Sequence, residues 1–284
     1  MKRIAIVTGA TSGAGREFVR QLDGTLYGQL DELWAVARSG EELEALANVT
    51  YAPVRPFALD LTDPASFDVL RAALAAEGEV RVSWLVNSAG CGWFGPQADA
   101  DPAVVRRMVS LNCLALAETC ELALPYMGDG SRIVNMSSVA AWLPLPQMGV
   151  YAATKRFVLD MTRALNEDLR GTGIHACAVC PKAMDTAFWR EAGPARGLGY
   201  LLGSEKPYHM VRRAIAAAQA GRGSVITAPE MRAVCAVAQV LPYGALALAG
   251  RAALATLGRD AHVPAGDREA QAADAARSSA EGLA

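Results

Sequence analysis

Short apolar runs rich in β-branched residues recur along the chain, separated by stretches with helical periodicity. Arg3 to Thr8, Glu32 to Ala37, Arg55 to Leu61, Val82 to Asn87, Ser131 to Ser138, His175 to Cys180 and Ser224 to Thr227 read as strands. Thr62-Asp63-Pro64 opens a helix through Ala76, and residues 102–127 carry one long helical pattern. A further helix starts at Tyr151 and runs to about Arg170, where Gly171 and Gly173 stop it; another spans Lys206 to Ala220. Strands alternating with helices of this length predict an α/β fold, with a doubly wound, parallel, seven-stranded sheet and helices on both faces. No repeat and no interdomain linker interrupts the pattern, so one domain is expected over 1–228, including an irregular substrate loop over 182–204. An apolar helical extension is expected over 229–258, and a mobile tail over the Ala-rich, polar residues 259–284.

Composition narrows the possibilities. At 284 residues, 52% apolar and 20% charged, the chain can bury one sizeable core. A net charge of −2 without a basic run gives nucleic acid nothing to bind. The apolar run after Met1-Lys2-Arg3 is too short for a signal peptide and ends at Thr8-Gly9, so a cytoplasmic location is expected. Cys177 and Cys180 form a CxxC, but on a strand residues three apart face opposite sides, which suits neither zinc nor a redox pair. Three scattered histidines (175, 209, 262) suggest no metal site.

Candidate chemistry gathers just past the strands. The first strand ends in TGATSGAG, where Gly9, Gly13 and Gly15 allow a tight turn and close approach of a pyrophosphate to backbone N–H groups at a helix start. The second strand ends at Ala37 with Arg38 and Ser39 beside it. An acid there would bind a ribose 2′-hydroxyl; the guanidinium suits a 2′-phosphate, or is simply a solvated surface arginine. Asp60 ends the third strand within reach of an adenine amino group, and Ser88-Ala89-Gly90 after the fourth are small enough for cofactor to pass closely. Asn112 is a buried amide amid apolar residues and needs partners, either local backbone or a water beside a lysine.

Ser138, Tyr151 and Lys155 follow at separations of thirteen and four. Tyr151 and Lys155 share one helix face about 6 Å apart along the axis. An ammonium beside a phenol favours the phenolate, so a lowered phenol pKa is expected, able to exchange a proton with a substrate oxygen that Ser138 also holds. Trp93, Phe94, Trp142, Phe188, Trp189 and Tyr200 lie in loops past strand ends and could line a large apolar pocket or pack on the body. Residues 233–250 carry no charge; Gln239, Pro242 and Tyr243 break the run into two short helices. These serve as substrate cover or subunit interface, or touch a membrane peripherally without spanning it.

In this order, TGATSGAG, Asp60, Asn87-Ser-Ala-Gly, Asn112, Ser138 and YAATK resemble the short-chain dehydrogenase/reductase family over about residues 3–228. The resemblance implies a Rossmann fold binding NAD(P), and hydride transfer between nicotinamide and a carbonyl carbon with Tyr151 as acid/base. Lys155 would also hold the nicotinamide ribose, Ser138 orient the substrate and Asn112 complete a proton relay. Thr186 would contact the nicotinamide amide. Cofactor contacts would come from Gly9, Thr11, Ser12, Gly13, Ala14, Gly15, Arg38, Ser39, Asp60, Leu61, Asn87, Ala89, Gly90 and Pro181. Three positions depart from the family pattern: Ser88 replaces a second asparagine, Lys182 replaces the glycine after Pro181, and the glycine-rich segment after the seventh strand is missing. Lys182 would place an ammonium near the nicotinamide or pyrophosphate. A homodimer or homotetramer is implied by resemblance.

The expected activity is NADP(H)-dependent interconversion of a ketone and a secondary alcohol, with NADP(H) favoured over NAD(H). The substrate would be a bulky apolar molecule such as a hydroxysteroid or bile acid, touching Trp93, Trp142, Phe188, Trp189 and Tyr200. The alternatives are a 3-oxoacyl reductase and a cofactor-sensing binding protein without chemistry.

Overall fold

All seven strands run parallel in one sheet, in the order β3-β2-β1-β4-β5-β6-β7. The strands are β1 (Lys2–Thr8), β2 (Glu32–Ala37), β3 (Val54–Ala58), β4 (Val80–Asn87), β5 (Arg132–Met136), β6 (His175–Cys180) and β7 (Ser224–Ile226). This computed structural model describes residues 1–143, 146–184, 186, 188 and 203–257. Trp189, Tyr200, most of the expected substrate loop and the tail 259–284 lie outside the described residues.

Alternation along β1 shows how the sheet is covered. Ala5 and Val7 join one apolar cluster with Phe18, Val19 and Leu22 of α1 (Gly13–Thr25), Leu43 and Leu46 of α2 (Gly40–Ala47), and Met210, Val211 and Ala214 of α7 (Pro207–Gln219). Ile4 and Ile6 point the other way, onto Leu70 and Leu74 of α3 (Ala65–Ala76), Leu116 and Cys120 of α5 (Ala115–Ala123) and Val158 of α6 (Gly149–Asp168). Each fully buried aliphatic or aromatic side chain contributes roughly 1.5–3 kcal/mol, so the two faces together hold the helices against the sheet. Cys177 joins the first cluster and Cys180 a third, on opposite sides of β6, and both thiols are free.

Two boundaries differ from expectation. β3 stops at Ala58 and β5 covers only Arg132–Met136, because the residues after them turn into side-chain-bonded loops at the sheet edge. The long helical pattern at 102–127 is α4 (Pro102–Val109), a π-turn (Ser110–Leu114) and α5 in succession. Residues Pro102–Tyr126 are long and apolar enough to cross a membrane by length and composition, yet half of the window is buried in the protein. The π-turn adds one residue to the helical count and rotates Asn112 inward.

After β7 the chain forms α8 (Pro229–Val240) and α9 (Tyr243–Leu257). Met231, Cys235 and Ala238 of α8 bury against Trp142, Leu143 and Leu159. Since every strand is parallel, the ends of β1 to β7 open on one edge of the sheet. The chain reverses its order of strands between β1 and β4, and the crevice beyond that point is where such sheets bind ligands.

Candidate active site

The glycine turn sits directly on the end of β4. Thr8 Oγ1 accepts the N–H groups of Ser88 and Ala89, both at 3.1 Å, and so ties β1 to the Ser88-Ala89-Gly90 loop. Gly9 has φ +66°, and a Cβ there would stand 2.9 Å from Ala89 backbone. At Gly15 a Cβ would stand only 2.0 Å from Gly9 O, so the first turn of α1 packs against the turn as no other residue could. Ala10 N–H donates to Val36 O at 3.2 Å, joining the turn to β2. Ser12 caps α1 without a side-chain bond, and Arg16 N–H finds Ser12 O at 3.1 Å. The N–H groups of Gly13, Ala14 and Gly15 therefore precede the first helical bond, at the positive end of the helix dipole. This cradle fits a pyrophosphate, with Thr11 and Ser12 at its mouth. Thr186 comes to the same place: its methyl lies 3.3 Å from where a Gly13 Cβ would be.

Beside the turn, Thr8, Leu61, Asn87, Ala89, Leu111, Ala115, Leu116 and Thr119 pack around a narrow, closed gap. Leu61, Ala89 and Leu111 offer apolar surface of the kind a flat purine stacks on. Asp60 stands at its edge, with Oδ1 accepting Thr62 N–H (2.9 Å) and Thr62 Oγ1 (2.8 Å), and Oδ2 accepting Arg107 Nη2 (3.2 Å). Burial pushes its carboxyl up, but the Thr62 bonds and Arg107 outweigh that and hold it below the usual carboxylate value. Leu59 N–H donates to Ala37 O at 2.8 Å, which brings the ends of β2 and β3 together. Arg38 is exposed there, while the Ser39 hydroxyl caps α2 by accepting Glu42 N–H at 3.3 Å. Asn87 works chiefly within the sheet: its Nδ2 donates to Asn135 Oδ1 of β5 at 2.9 Å, and Asn135 Nδ2 donates to Thr162 Oγ1 at 3.0 Å. Its Oδ1 is buried with no partner among the described residues.

Across the sheet, Asn112, Ser138, Tyr151 and Lys155 converge at the end of β5, all nine-tenths or more buried. Asn112 pairs with the backbone of Cys91, Oδ1 accepting Cys91 N–H at 2.9 Å and Nδ2 donating to Cys91 O at 2.8 Å; Nδ2 also reaches Thr154 Oγ1 at 3.1 Å. The Thr154 hydroxyl donates in turn to Tyr151 O at 2.8 Å. Lys155 Nζ donates to Met136 O at 2.9 Å, and Ser137 Oγ donates to Lys155 O at 2.7 Å. Ser138 Oγ accepts Ala140 N–H at 3.1 Å and is hydrogen-bonded to the Tyr151 hydroxyl, so the two hydroxyls stand side by side. A Cβ on Gly90 would lie 3.1 Å from Asn112 Oδ1 and 3.5 Å from Lys155 Nζ, which places both beside the Gly90 backbone.

The expected lowering of the phenol pKa is not what the protein groups produce. Burial pushes Tyr151 up to about 12, against an opposing hydrogen bond from Ser138. Burial also pushes Lys155 down to about 8. The ammonium lies 5.8 Å from the Tyr151 ring centroid, turned to the Met136 carbonyl, and desolvation outweighs the attraction between the two side chains.

The wall around Tyr151 is aromatic. Phe94 stacks edge-on with its ring at 5.0 Å between centroids, Phe188 lies at 5.9 Å, and Trp93 packs on the same cluster. Two expectations fail here. Trp142 is 7% exposed and lies in the apolar cluster beneath α8, with the Arg163 guanidinium 4.6 Å over its ring, so it supports the C-terminal helices instead of the pocket. Lys182 forms an ion pair with Glu230 in the first turn of α8, which fastens that helix to the end of β6. Pro181 is buried and its carbonyl accepts Val139 N–H at 3.0 Å, locking the β6 exit to the turn carrying Ser138.

Sequence reasoning missed Thr154, Ser137 and Asn135. Asn135 carried a signal, a lone amide inside the apolar run of β5; Thr154 carried one in its place inside YAATK, beside both partners.

Comparison with known proteins agrees with this geometry. The model of the short chain dehydrogenase family matches residues 3–197. The sulfoacetaldehyde reductase of Chromohalobacter salexigens is 34% identical over 197 residues, covering 66% of this chain and 75% of that protein. The human very-long-chain 3-oxoacyl-CoA reductase is 28% identical over 187 residues, covering 62% of this chain but 58% of its own length. Among solved structures, a short-chain dehydrogenase from Sphingobium yanoikuyae in complex with NADPH superposes with a TM-score of 0.70 at 26% identity, covering 84% of this chain and 94% of that one. One from Burkholderia phymatum in complex with NAD reaches 0.72 at 24% identity, over 93% and 97%. The glycine cradle and the buried phenol–ammonium corner thus stand in a chain that belongs to the short-chain dehydrogenase/reductase family, the NAD(P)-dependent oxidoreductases.

Proposed function

We propose that the protein reduces the ketone of a bulky apolar molecule to a secondary alcohol, preferring NADPH. The observation that carries the reading is the buried Tyr151 hydroxyl, set beside Ser138 and Lys155 and flanked by aromatic rings. The bound nicotinamide supplies the hydride. Tyr151 donates the proton to the substrate oxygen, and Ser138, hydrogen-bonded to the Tyr151 hydroxyl, turns to hold that oxygen as charge develops on it. Lys155, which gives one N–H to Met136 O, would hold the nicotinamide ribose with the others. Asn112 holds the Cys91 backbone and Thr154, so the wall and the helix carrying Tyr151 keep a fixed separation.

Tyr151 is protonated at pH 7 and can donate in reduction; the reverse oxidation needs the phenolate and gains rate as pH rises. Arg38, exposed at the end of β2 with no acid in the preceding position, supports NADPH through a charge-assisted fork to the 2′-phosphate. Trp93 and Phe188, both half-buried beside Tyr151, support a polycyclic ketone such as a steroid or bile acid. A small sulfonated aldehyde, the substrate named for the Chromohalobacter relative, would need a cation in the pocket, and Lys182 is already neutralised by Glu230. The name of the human relative motivates a second reading, a long-chain 3-oxoacyl thioester.

The test is oxidation of NADPH and of NADH across steroid ketones, oxidised bile acids, 3-oxoacyl thioesters and sulfoacetaldehyde. Turnover of a polycyclic ketone is expected, reduced about 10²–10⁴-fold in Tyr151→Phe. Faster turnover with NADH would remove the Arg38 reading. Tight NADPH binding with no turnover on any class would favour a sensor instead of an enzyme.

A further inference from the structure

The outer side of the two C-terminal helices is unlike the rest of the surface. Met231, Cys235 and Ala238 of α8 face the body, whereas Val234, Val237 and Val240 are 43%, 53% and 81% exposed. Leu241 and Tyr243 at the corner between the helices, and Leu248 on α9, are exposed as well, at 43%, 66% and 62%. Isolated exposed aliphatics are ordinary; six within fifteen residues form a patch that calls for an occupant.

The charges around the patch indicate its chemistry. Residues 233–250 carry none, and Arg232 and Arg251, both exposed, bracket them. Arg232 Nε is turned to Ile226 O at 3.3 Å, at the base of the hairpin. The hairpin, 229–257, carries two arginines and one acid, Glu230, which is paired with Lys182, in a chain whose net charge is −2. A second copy laid on this patch through 233–250 would bring the bracketing arginines Arg232 and Arg251 against each other, while Glu230 is already held by Lys182. Anionic headgroups complement it at both ends while acyl chains cover the valines and leucines. Neither helix can cross a bilayer. With 12 and 15 residues they measure about 18 and 23 Å, against a hydrocarbon core of about 30 Å. A proline and a tyrosine at the corner are suited to the interfacial plane, the tyrosine with its ring at headgroup level.

We propose that the α8–α9 hairpin docks the protein peripherally, lying flat, on an anionic lipid surface. The hairpin is fixed to the β6 exit by Lys182–Glu230 and by the cluster around Trp142, so docking would hold the sheet edge that carries Tyr151 close to the lipid plane. Nothing in this inference depends on which carbonyl compound is reduced.

The experiment is flotation of the full chain with vesicles of phosphatidylcholine alone or of phosphatidylcholine with about 30% phosphatidylglycerol. Binding to the anionic vesicles is expected, weakened at least tenfold by Val237→Asp with Leu248→Asp. Removal of each arginine, Arg232→Ala or Arg251→Ala, should weaken it about fivefold, and raised salt should weaken it further. Each variant is checked for an unchanged melting temperature and NADPH affinity, so that a misfolded variant is recognised. Equal binding to both vesicle types would overturn the anionic assignment. Absence of binding, with the aspartate pair instead shifting the molecular mass in solution, would overturn the lipid in favour of a second copy.

Discussion

The corner at the end of β5 and the hairpin after β7 are both built on buried apolar surface, yet they are held in different ways. At the corner, Asn112, Thr154, Ser137 and Lys155 spend their polar atoms on backbone groups from three separate segments, and the geometry of one fixes the others. The hairpin rests on small apolar side chains and one ion pair at its root. The corner therefore has one arrangement and tolerates little change. The hairpin can be altered residue by residue with graded effects. Chemistry is placed where hydrogen bonds over-determine position, and adhesion where they do not.

The largest expected effect comes from emptying the corner of its charge. Lys155→Met should reduce turnover by about 10²–10⁴-fold, comparable with loss of the phenol. It should also change stability in a pH-dependent way that a bystander lysine would not. Burial lowers Lys155 from 10.5 to about 8, so between those values the unfolded chain binds the extra proton and stability rises with pH. Below about 8 the full burial cost applies, roughly 3 kcal/mol on this shift. Tyr151, raised from 10.0 to about 12, has the opposite sign and loses stability only between those values. Urea unfolding of the wild type should thus show a midpoint climbing from pH 8 to 10, and Lys155→Met should flatten that climb. A parallel climb in the variant would show that Lys155 is not the group responsible.

Next in size is the glycine turn, which shares the corner's rigidity through Thr8 and Gly90. Gly15→Ala drives a methyl into Gly9 O, a backbone atom that can yield only by moving the turn. Overpacking of this kind costs about 1–3 kcal/mol, and the displaced N–H groups should weaken NADPH binding at least tenfold by fluorescence titration. Unchanged affinity with a lowered melting temperature would mean that the cradle and the helix packing are separable.

Much of the corner could be read from the sequence because its code is local. Tyr151 and Lys155 share a helix face by spacing alone, and glycines around a turn after a first strand mark a dinucleotide crevice by position. The sheet followed from the alternation of runs. What was not legible depended on distant partners. The phenol's high pKa comes from burial under Phe94 and Phe188, which no spacing around Tyr151 announces. The π-turn hides inside a long helical pattern, since one extra residue barely disturbs the apolar period. Trp142 was expected to line the pocket but lies under α8, because a large apolar side chain suits either place and only the path of α8 decides. Lys182 was expected at the cofactor, and its partner Glu230 lies 48 residues further along the chain.

The smallest effect tests the hairpin's root. Lys182 is nearly buried, at 11% side-chain exposure, while Glu230 is 56% exposed, so water screens the pair from one side. Hydrogen bonding from Lys182, aided by the first turn of α8, holds the Glu230 carboxyl below its usual value of 4.5. Its stabilisation is therefore present at neutral pH and lost as pH falls below that value. A double-mutant cycle of Lys182→Gly and Glu230→Gln should give a coupling below about 1 kcal/mol at pH 7, fading toward pH 3. Turnover should change less than threefold in either variant, since neither side chain is assigned to the corner. A large loss of kcat in Lys182→Gly with Glu230→Gln unaffected would place the lysine in the site, and the division between a rigid corner and an adjustable hairpin would then fall at Lys182 itself.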